Sequence, residues 1–275
     1  MTRNSDLETY VAKMGDIYGA FHHPDPYVFE AISANQSERG VAGDLLEIGS
    51  YQGRSAIVLG YLLGEGETLH VCDSFPVPNA EDPDFLAHTI DWYEPYSQTI
   101  FEENYLRFHE ELPTIYPHTS LELAGELEPK SFRFVHLDGS HTAEALQSDI
   151  SLAKHILIDD GVIAFSEYRS THTLEVAAAA WAEVASLKVF PICATETHLY
   201  ASVSRPSPEE TASLQIRLRS VPGINAVPSR FRGVEIALMQ PVRSESKTTL
   251  RSFVPPILLP SARKARSWLA GMRDR

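Results

Sequence analysis

The stretch Leu45–Ser55, LLEIGSYQGRS, ends an apolar run with a carboxylate and two glycines and then opens a helical pattern. Leu45 to Ile48 read as a buried strand, and the helix is expected to begin near Arg54. Gly49 and Gly53 then occupy the turn between them, where glycine allows a sharp reversal and the close approach of a ligand. Such a turn points the free N–H groups of the helix into a crevice. Dinucleotide folds place G-x-G-x-x-G here around a pyrophosphate. This chain has E-x-G-x-x-x-G instead. The carboxylate of Glu47 would repel a pyrophosphate but suits a ligand with positive charge and hydroxyls, which disfavours NAD and favours a nucleoside with a cationic centre.

Outward from that turn, apolar runs and helical patterns alternate. ETLHVCDSF (67–75), FRFVHLDGSH (132–141) and GVIAFSEY (161–168) are short and apolar; RSAIVLGYLLG (54–64), AEALQSDISLAKHIL (143–157) and TLEVAAAAWAEVASL (173–187) have helical spacing. The order implies an α/β fold: a Rossmann-like, doubly wound, mostly parallel sheet with helices on both faces and ligands at the carboxyl ends of the strands. LKVFPICATETHLYASV (187–203) reads as an antiparallel hairpin closing the sheet edge. Asp73 ends the second run, 26 residues past Glu47. A carboxylate at that tip can accept from two ribose hydroxyls. Taken singly, Glu47 and Asp73 fit turn caps equally well; together with the glycine spacing they point to a ligand.

Composition narrows the classes. The 275 residues carry a net charge of -14, unsuited to a phosphate backbone, so no nucleic-acid partner is expected. No eighteen-residue apolar run and no signal-like N-terminus occur, so a cytoplasmic protein without a membrane span is expected. Cys72 and Cys193 each sit in an apolar run, as buried reduced thiols do. Residues 1–200 hold 10 Lys/Arg against 32 Asp/Glu, whereas residues 201–275 hold 13 against 5. The break near Arg205 suggests an N-terminal helical segment (1–40), a ligand-binding domain (41–204) and a basic C-terminal extension (205–275). In the extension, 212–221 and 232–242 alternate like two strands of a small added sheet or oligomer contact. The tail 259–275 reads as a basic amphipathic helix, expected to pack on the acidic core of its own or a neighbouring subunit. A homo-oligomer follows from that preference.

DLLEIGSYQGRSAIVLG, LHVCDSF and FRFVHLDGSHTAEALQSDISLAKHILIDDGVIAFSEY together resemble the class I S-adenosylmethionine-dependent methyltransferases. More narrowly, they are similar to the small-molecule group of sugar and macrolide O-methyltransferases whose fourth strand ends in Asp-Gly-Ser/Asp-His. The likeness runs from about Val41 to Val203. It implies that Glu47, Gly49, Ser50, Gly53, Asp73, Ser74 and Asp138 line the S-adenosylmethionine site. Asp138, His141 and Glu167 would address a small-molecule acceptor. In related enzymes, acids at the positions of Asp138 and Glu167 bind a divalent metal, usually Mg²⁺, which acidifies substrate hydroxyls. This chain departs from the group: Ser166 and Glu167 precede Tyr168 where a His-Asp or Asp-Asp pair is common, and Asp160-Gly161 replaces a usual Gly-Gly. Both metal-assisted chemistry and a metal-free version with His141 as general base stay open.

Other residues carry weaker signals. His172 lies at a helix start, more often a solvated position, and His22 and His23 precede the first strand with no pattern to separate an entrance from plain surface. The insertion after Asp73 holds Phe85, Trp92, Tyr93 and Tyr96, suited to a lid over a sugar or polyketide, while Phe101, Tyr105 and Phe108 keep core-facing helical spacing. The resemblance implies that Glu122 and Glu126 follow the third strand, where the family usually places a contact to the cofactor adenine. Two rival functions remain: a binding or scaffold protein that keeps the cofactor pocket without turnover, and a nicotinamide-dependent oxidoreductase on a similar sheet.

Overall fold

The computed structural model describes residues 5–75, 97–123, 125–139, 142–171 and 173–242. Two helices come first, α1 (Ser5–Lys13) and α2 (Asp25–Glu38). The alternating core follows: β1 (Asp44–Ile48), α3 (Arg54–Gly60), β2 (Leu69–Cys72), α4 (Gln98–Leu106), β3 (Thr114–Tyr116), α5 (Ser120–Leu123), β4 (Phe132–Leu137), α6 (Ala143–Ile156), β5 (Leu157–Ser166) and α7 (Leu174–Ala185). β6 (Phe190–Ala194), β7 (His198–Ser202), α8 (Pro208–Leu218), β8 (Ile224–Phe231) and β9 (Val234–Pro241) complete it.

One nine-stranded sheet results, in the order β3-β2-β1-β4-β5-β7-β6-β9-β8. β1 to β5 run parallel, β7 is antiparallel to both β5 and β6, and β6 is parallel to β9. This is the expected Rossmann-like class. β1, β4 and β5 lie mid-sheet with helices on both faces, so their runs are apolar without alternation. Leu45, Phe134, Val162 and Ala164 pack in the core on one face, against Phe29 and Ile32 of α2 and Ile57 of α3. Leu46, Val135, Ile163 and Phe165 pack on the other, with Ile150 and Ala153 of α6 and Ala180 of α7. Phe101 and Tyr105 are buried as their spacing predicts.

Three expectations change. The β6–β7 hairpin does not form the sheet edge, because β9 and β8 extend the same sheet beyond it. Residues 212–218 are helical, in α8, rather than a strand. Ser207 accepts from the Glu210 N–H, and the Glu210 side chain accepts from the Ser207 N–H, a capping box with Pro208 at the first turn. Leu214 and Leu218, four apart, supply its buried face, and two turns of that spacing mimic strand alternation. Nor does the composition break at Arg205 divide the fold: the first compact unit runs from Met1 to Gln240, with Pro241–Arg275 as the second. α8 belongs to the first unit, where Asn35 of α2 donates to Ser213, and the basic tail lies outside the described residues. Arg232 and Gly233, both left-handed, make the two-residue turn that matches the twist of the β8–β9 hairpin.

The largest fully buried side chain is Arg133 on β4. It makes a two-pronged ion pair with Glu67, at 2.7 Å from both Nε and Nη2, and also donates to Ser33, Gln36 and the Leu62 carbonyl. The clamp locks α2 and the α3–β2 connection onto the middle of the sheet. Among the described residues no helix is long and apolar enough to cross a membrane.

Candidate active site

The β1–α3 turn is built against the end of β4. Gly49 has φ +80°, and a Cβ on it would lie 2.2 Å from the Asp138 carbonyl oxygen, so the two turns touch through bare backbone. Gly53, at φ +92°, caps α3, and a Cβ there would meet the Phe101 ring at 3.0 Å. Only glycine suits either place.

Asp73 follows β2 and faces this turn. Its Oδ2 accepts from the N–H groups of Ser50 (2.7 Å) and Tyr51 (2.9 Å), and its Oδ1 accepts from the Phe75 N–H (2.9 Å). The Ser50 hydroxyl adds a longer contact to Oδ2 at 3.4 Å, whereas Oδ1 has the single donor Phe75 N–H and, with about two acceptor positions per carboxylate oxygen, keeps one position open. Ser50 and Ser74 flank it, Ser50 buried and Ser74 exposed. Asp73 therefore caps the turn, as one of its two readings expects.

Glu47 is turned inward and wholly buried. It stands in register with His136 on the neighbouring parallel strand β4, and its Oε1 lies 2.7 Å from the His136 Nδ1. His136 Nε2 meets His198 Nε2 at 3.1 Å, on the far side of β5, where small Ala164 lies in register with His136. His198 Nδ1 pairs with Asp25 at 3.1 Å. Asp25 further accepts from Tyr200 (2.6 Å), Thr195 (2.8 Å) and Thr197 (2.5 Å). Four buried ionisable groups, from β1, β4, β7 and the start of α2, thus form one chain beneath the crevice.

Their protonation follows from burial and partners. Burial pushes the Glu47 carboxyl up to about 8, with Ser55 opposing and Asp73 adding to the rise. Burial and the cationic neighbour His198 push the His136 ring down to about 3. At Asp25 burial works the other way but is overridden by His198 and three hydroxyl donors, which bring the carboxyl to about 2. His198, despite burial, is raised by Asp25. The consistent assignment is an Asp25⁻–His198⁺ pair beside a neutral His136–Glu47 pair, with His198 Nε2–H donating to His136 and His136 Nδ1–H donating to Glu47.

At the acceptor side, Asp138 sits at the β4 tip. Burial raises its carboxyl, while His136, His198 and a hydrogen bond from Ser166 draw it back. Glu167 follows β5 in a left-handed conformation, φ +54°, an uncommon one for a non-glycine residue at a strand tip. His141 and His172 lie outside the described residues, as do Phe85, Trp92, Tyr93 and Tyr96. His22 reaches the site margin beside Arg54, whereas His23 is tied to the Pro222 carbonyl. Glu122 and Glu126 follow β3 and are exposed. Cys72 and Cys193 are buried free thiols.

For a metal, the described residues are a poor fit. Among them no group of three His, Cys, Asp or Glu side chains converges, and Asp138 has a serine hydroxyl, not a second carboxylate, as its hydrogen-bonding neighbour. For a nucleoside donor they fit: a glycine turn no side chain can fill, and a carboxylate with a spare acceptor position.

Residues 46–168 match the family model described as a methyltransferase domain. Among solved structures, the O-methyltransferase NovP superposes with a TM-score of 0.57 at 14% identity, covering 73% of this chain and 97% of that one. A protein from Corynebacterium glutamicum superposes with a TM-score of 0.50 at 10% identity, over 76% and 94% of the two chains. No curated protein matches by sequence. Residues 46–168 thus carry the pattern of a methyltransferase domain, and the solved structures share the fold.

Proposed function

We propose that the enzyme moves the methyl group of S-adenosylmethionine to an oxygen of a small molecule, a sugar or another polyhydroxylated natural product. The observation that carries the reading is Asp138: a carboxyl raised by burial, packed directly against the donor turn at Gly49. NovP, similar in fold, is an O-methyltransferase, which supports oxygen as the attacked atom's partner. The bound cofactor supplies a methyl carbon on a positively charged sulfur.

Asp73 holds the ribose hydroxyls, and the Gly49–Gly53 turn lets the donor lie close to the backbone. Asp138 and Glu167 hold the acceptor hydroxyl in line with the methyl carbon. As the oxygen–carbon bond forms, the carbon–sulfur bond breaks with its electron pair going to sulfur, and the acceptor's proton passes to a carboxylate oxygen of Asp138. The raised carboxyl of Asp138 brings its basicity nearer that of a working general base. His141, expected as base from the sequence, is a second proposed proton acceptor beside Asp138, and Mg²⁺, expected from the resemblance, does not fit the described residues. A cytoplasmic setting accords with the buried reduced thiols, and a homo-oligomer remains the proposed assembly.

The test is release of S-adenosylhomocysteine during incubation with a panel of glycosides and polyphenols, with Mg²⁺ and with EDTA. Asp138→Asn should lower turnover by about 10²–10⁴ while S-adenosylhomocysteine still binds in calorimetry. Absence of that binding in the native protein removes the reading, and binding of NADH in its place would favour the oxidoreductase.

A further inference from the structure

Arg54 differs from three other arginines of the fold. Arg133 is paired with Glu67, Arg217 with Glu38, and Arg39 with Asp160 and Glu210. Arg54 has no carboxylate within ion-pairing distance among the described residues, and its Nε is buried with no hydrogen-bond partner. A guanidinium taken partly out of water normally has an anion to compensate it. Here the compensation is missing at the first residue of α3, directly after Gly53.

The side chain is nevertheless held in place. Its Nη1 donates to the Gly19 carbonyl at 2.5 Å and faces the His22 Nδ1 at 3.3 Å. A Cβ on Gly19 would lie 3.1 Å from the Arg54 Cβ, so the N-terminal segment rests on the arginine stem. The Tyr10 hydroxyl donates to the Arg54 carbonyl at 2.7 Å. Three residues past His22, Asp25 fixes the segment through its bonds to Thr195, Thr197, His198 and Tyr200. Burial and the Arg54 cation together lower the His22 ring, which leaves Nδ1 as an acceptor for Arg54 and Nε2–H as a spare donor. Arg54 is therefore a preorganised cation with an unused donor, at the margin of the glycine turn.

We propose that Arg54, steadied by Gly19 and His22, receives the carboxylate of the donor's amino-acid moiety. The inference rests on the methyltransferase reading. The carboxylate is the anionic group of S-adenosylmethionine, and a guanidinium fork matches its two oxygens. With Asp73 at the ribose, Arg54 would fix the opposite end of the donor and thereby the direction of the carbon–sulfur bond.

Calorimetry with two probes tests this: S-adenosylhomocysteine, and 5′-methylthioadenosine, which keeps the nucleoside and lacks the amino acid. Arg54→Gln should weaken S-adenosylhomocysteine binding at least tenfold and leave 5′-methylthioadenosine within about twofold of the native protein. Arg54→Lys, which keeps the charge and loses the fork, should fall between. Equal weakening of both probes, or no weakening of either, overturns the assignment. Failure of the native protein to bind S-adenosylhomocysteine overturns the methyltransferase reading itself, a separate outcome.

Discussion

Glu47→Gln should make the protein more stable as the pH rises. The Glu47 carboxyl, fully enclosed beside His136, keeps its proton up to about pH 8, whereas in the unfolded chain it ionises at its ordinary value of 4.5. Between those values the folded state binds more protons than the unfolded one, so stability falls with rising pH. The loss amounts to roughly 3 kcal/mol by pH 7 and about 4 kcal/mol by pH 8, at about 1.4 kcal/mol per pH unit. Glutamine keeps an oxygen to accept from His136 Nδ1–H and cannot ionise. His198 is also raised, chiefly by Asp25, and that part of its contribution is common to both proteins and cancels in their difference, while the lesser part due to Glu47 is lost in the variant. Urea unfolding followed by tryptophan fluorescence at pH 5, 7 and 8 measures that difference. The variant should gain little at pH 5 and several kcal/mol at pH 8. A gap between the two proteins that does not change with pH would refute the assignment of a protonated Glu47.

Two further outcomes follow from the packing. Gly49→Ala forces a methyl group to 2.2 Å from the Asp138 carbonyl at a left-handed backbone position; it should cost at least about 3 kcal/mol in denaturant melts and abolish S-adenosylhomocysteine binding in calorimetry. Arg133→Met should cost about 3–5 kcal/mol, because Glu67 is left buried without its partner, and adding Glu67→Leu should recover part of the loss in the same melts.

The alternation of apolar runs with helical patterns exposes β1, β2, β4 and β5 in order, because central parallel strands are buried on both faces and each crossover needs its own helix. The glycine turn is legible for a similar reason: Glu47, Gly49, Gly53 and Asp73 lie within one strand–turn–helix–strand unit, and local geometry constrains their types. β3 went unread, being three residues long, half-exposed and without alternation. Residues 212–221 read as a strand because the decisive signal of the helix Pro208–Leu218 is its Ser207–Glu210 cap, not its apolar spacing. The Asp25–His198–His136–Glu47 chain carried no sequence signal at all. Asp25 and His198 are distant in sequence and meet only when β7 enters the sheet beside β5. Arg54 was likewise visible as the first residue of a helix, while its lack of a carboxylate partner is a property of three-dimensional neighbours.

The sheet's two ends also say something about how copies of the protein meet. At one end β3 offers only three residues of backbone; at the other, among the described residues, β8 is interrupted by Pro228, which has no N–H to donate, and carries the exposed cation Arg230. A strand from another molecule would find too short a ladder on one side and a gapped, charged one on the other. A nine-stranded sheet ending this way resists being lengthened into a fibre.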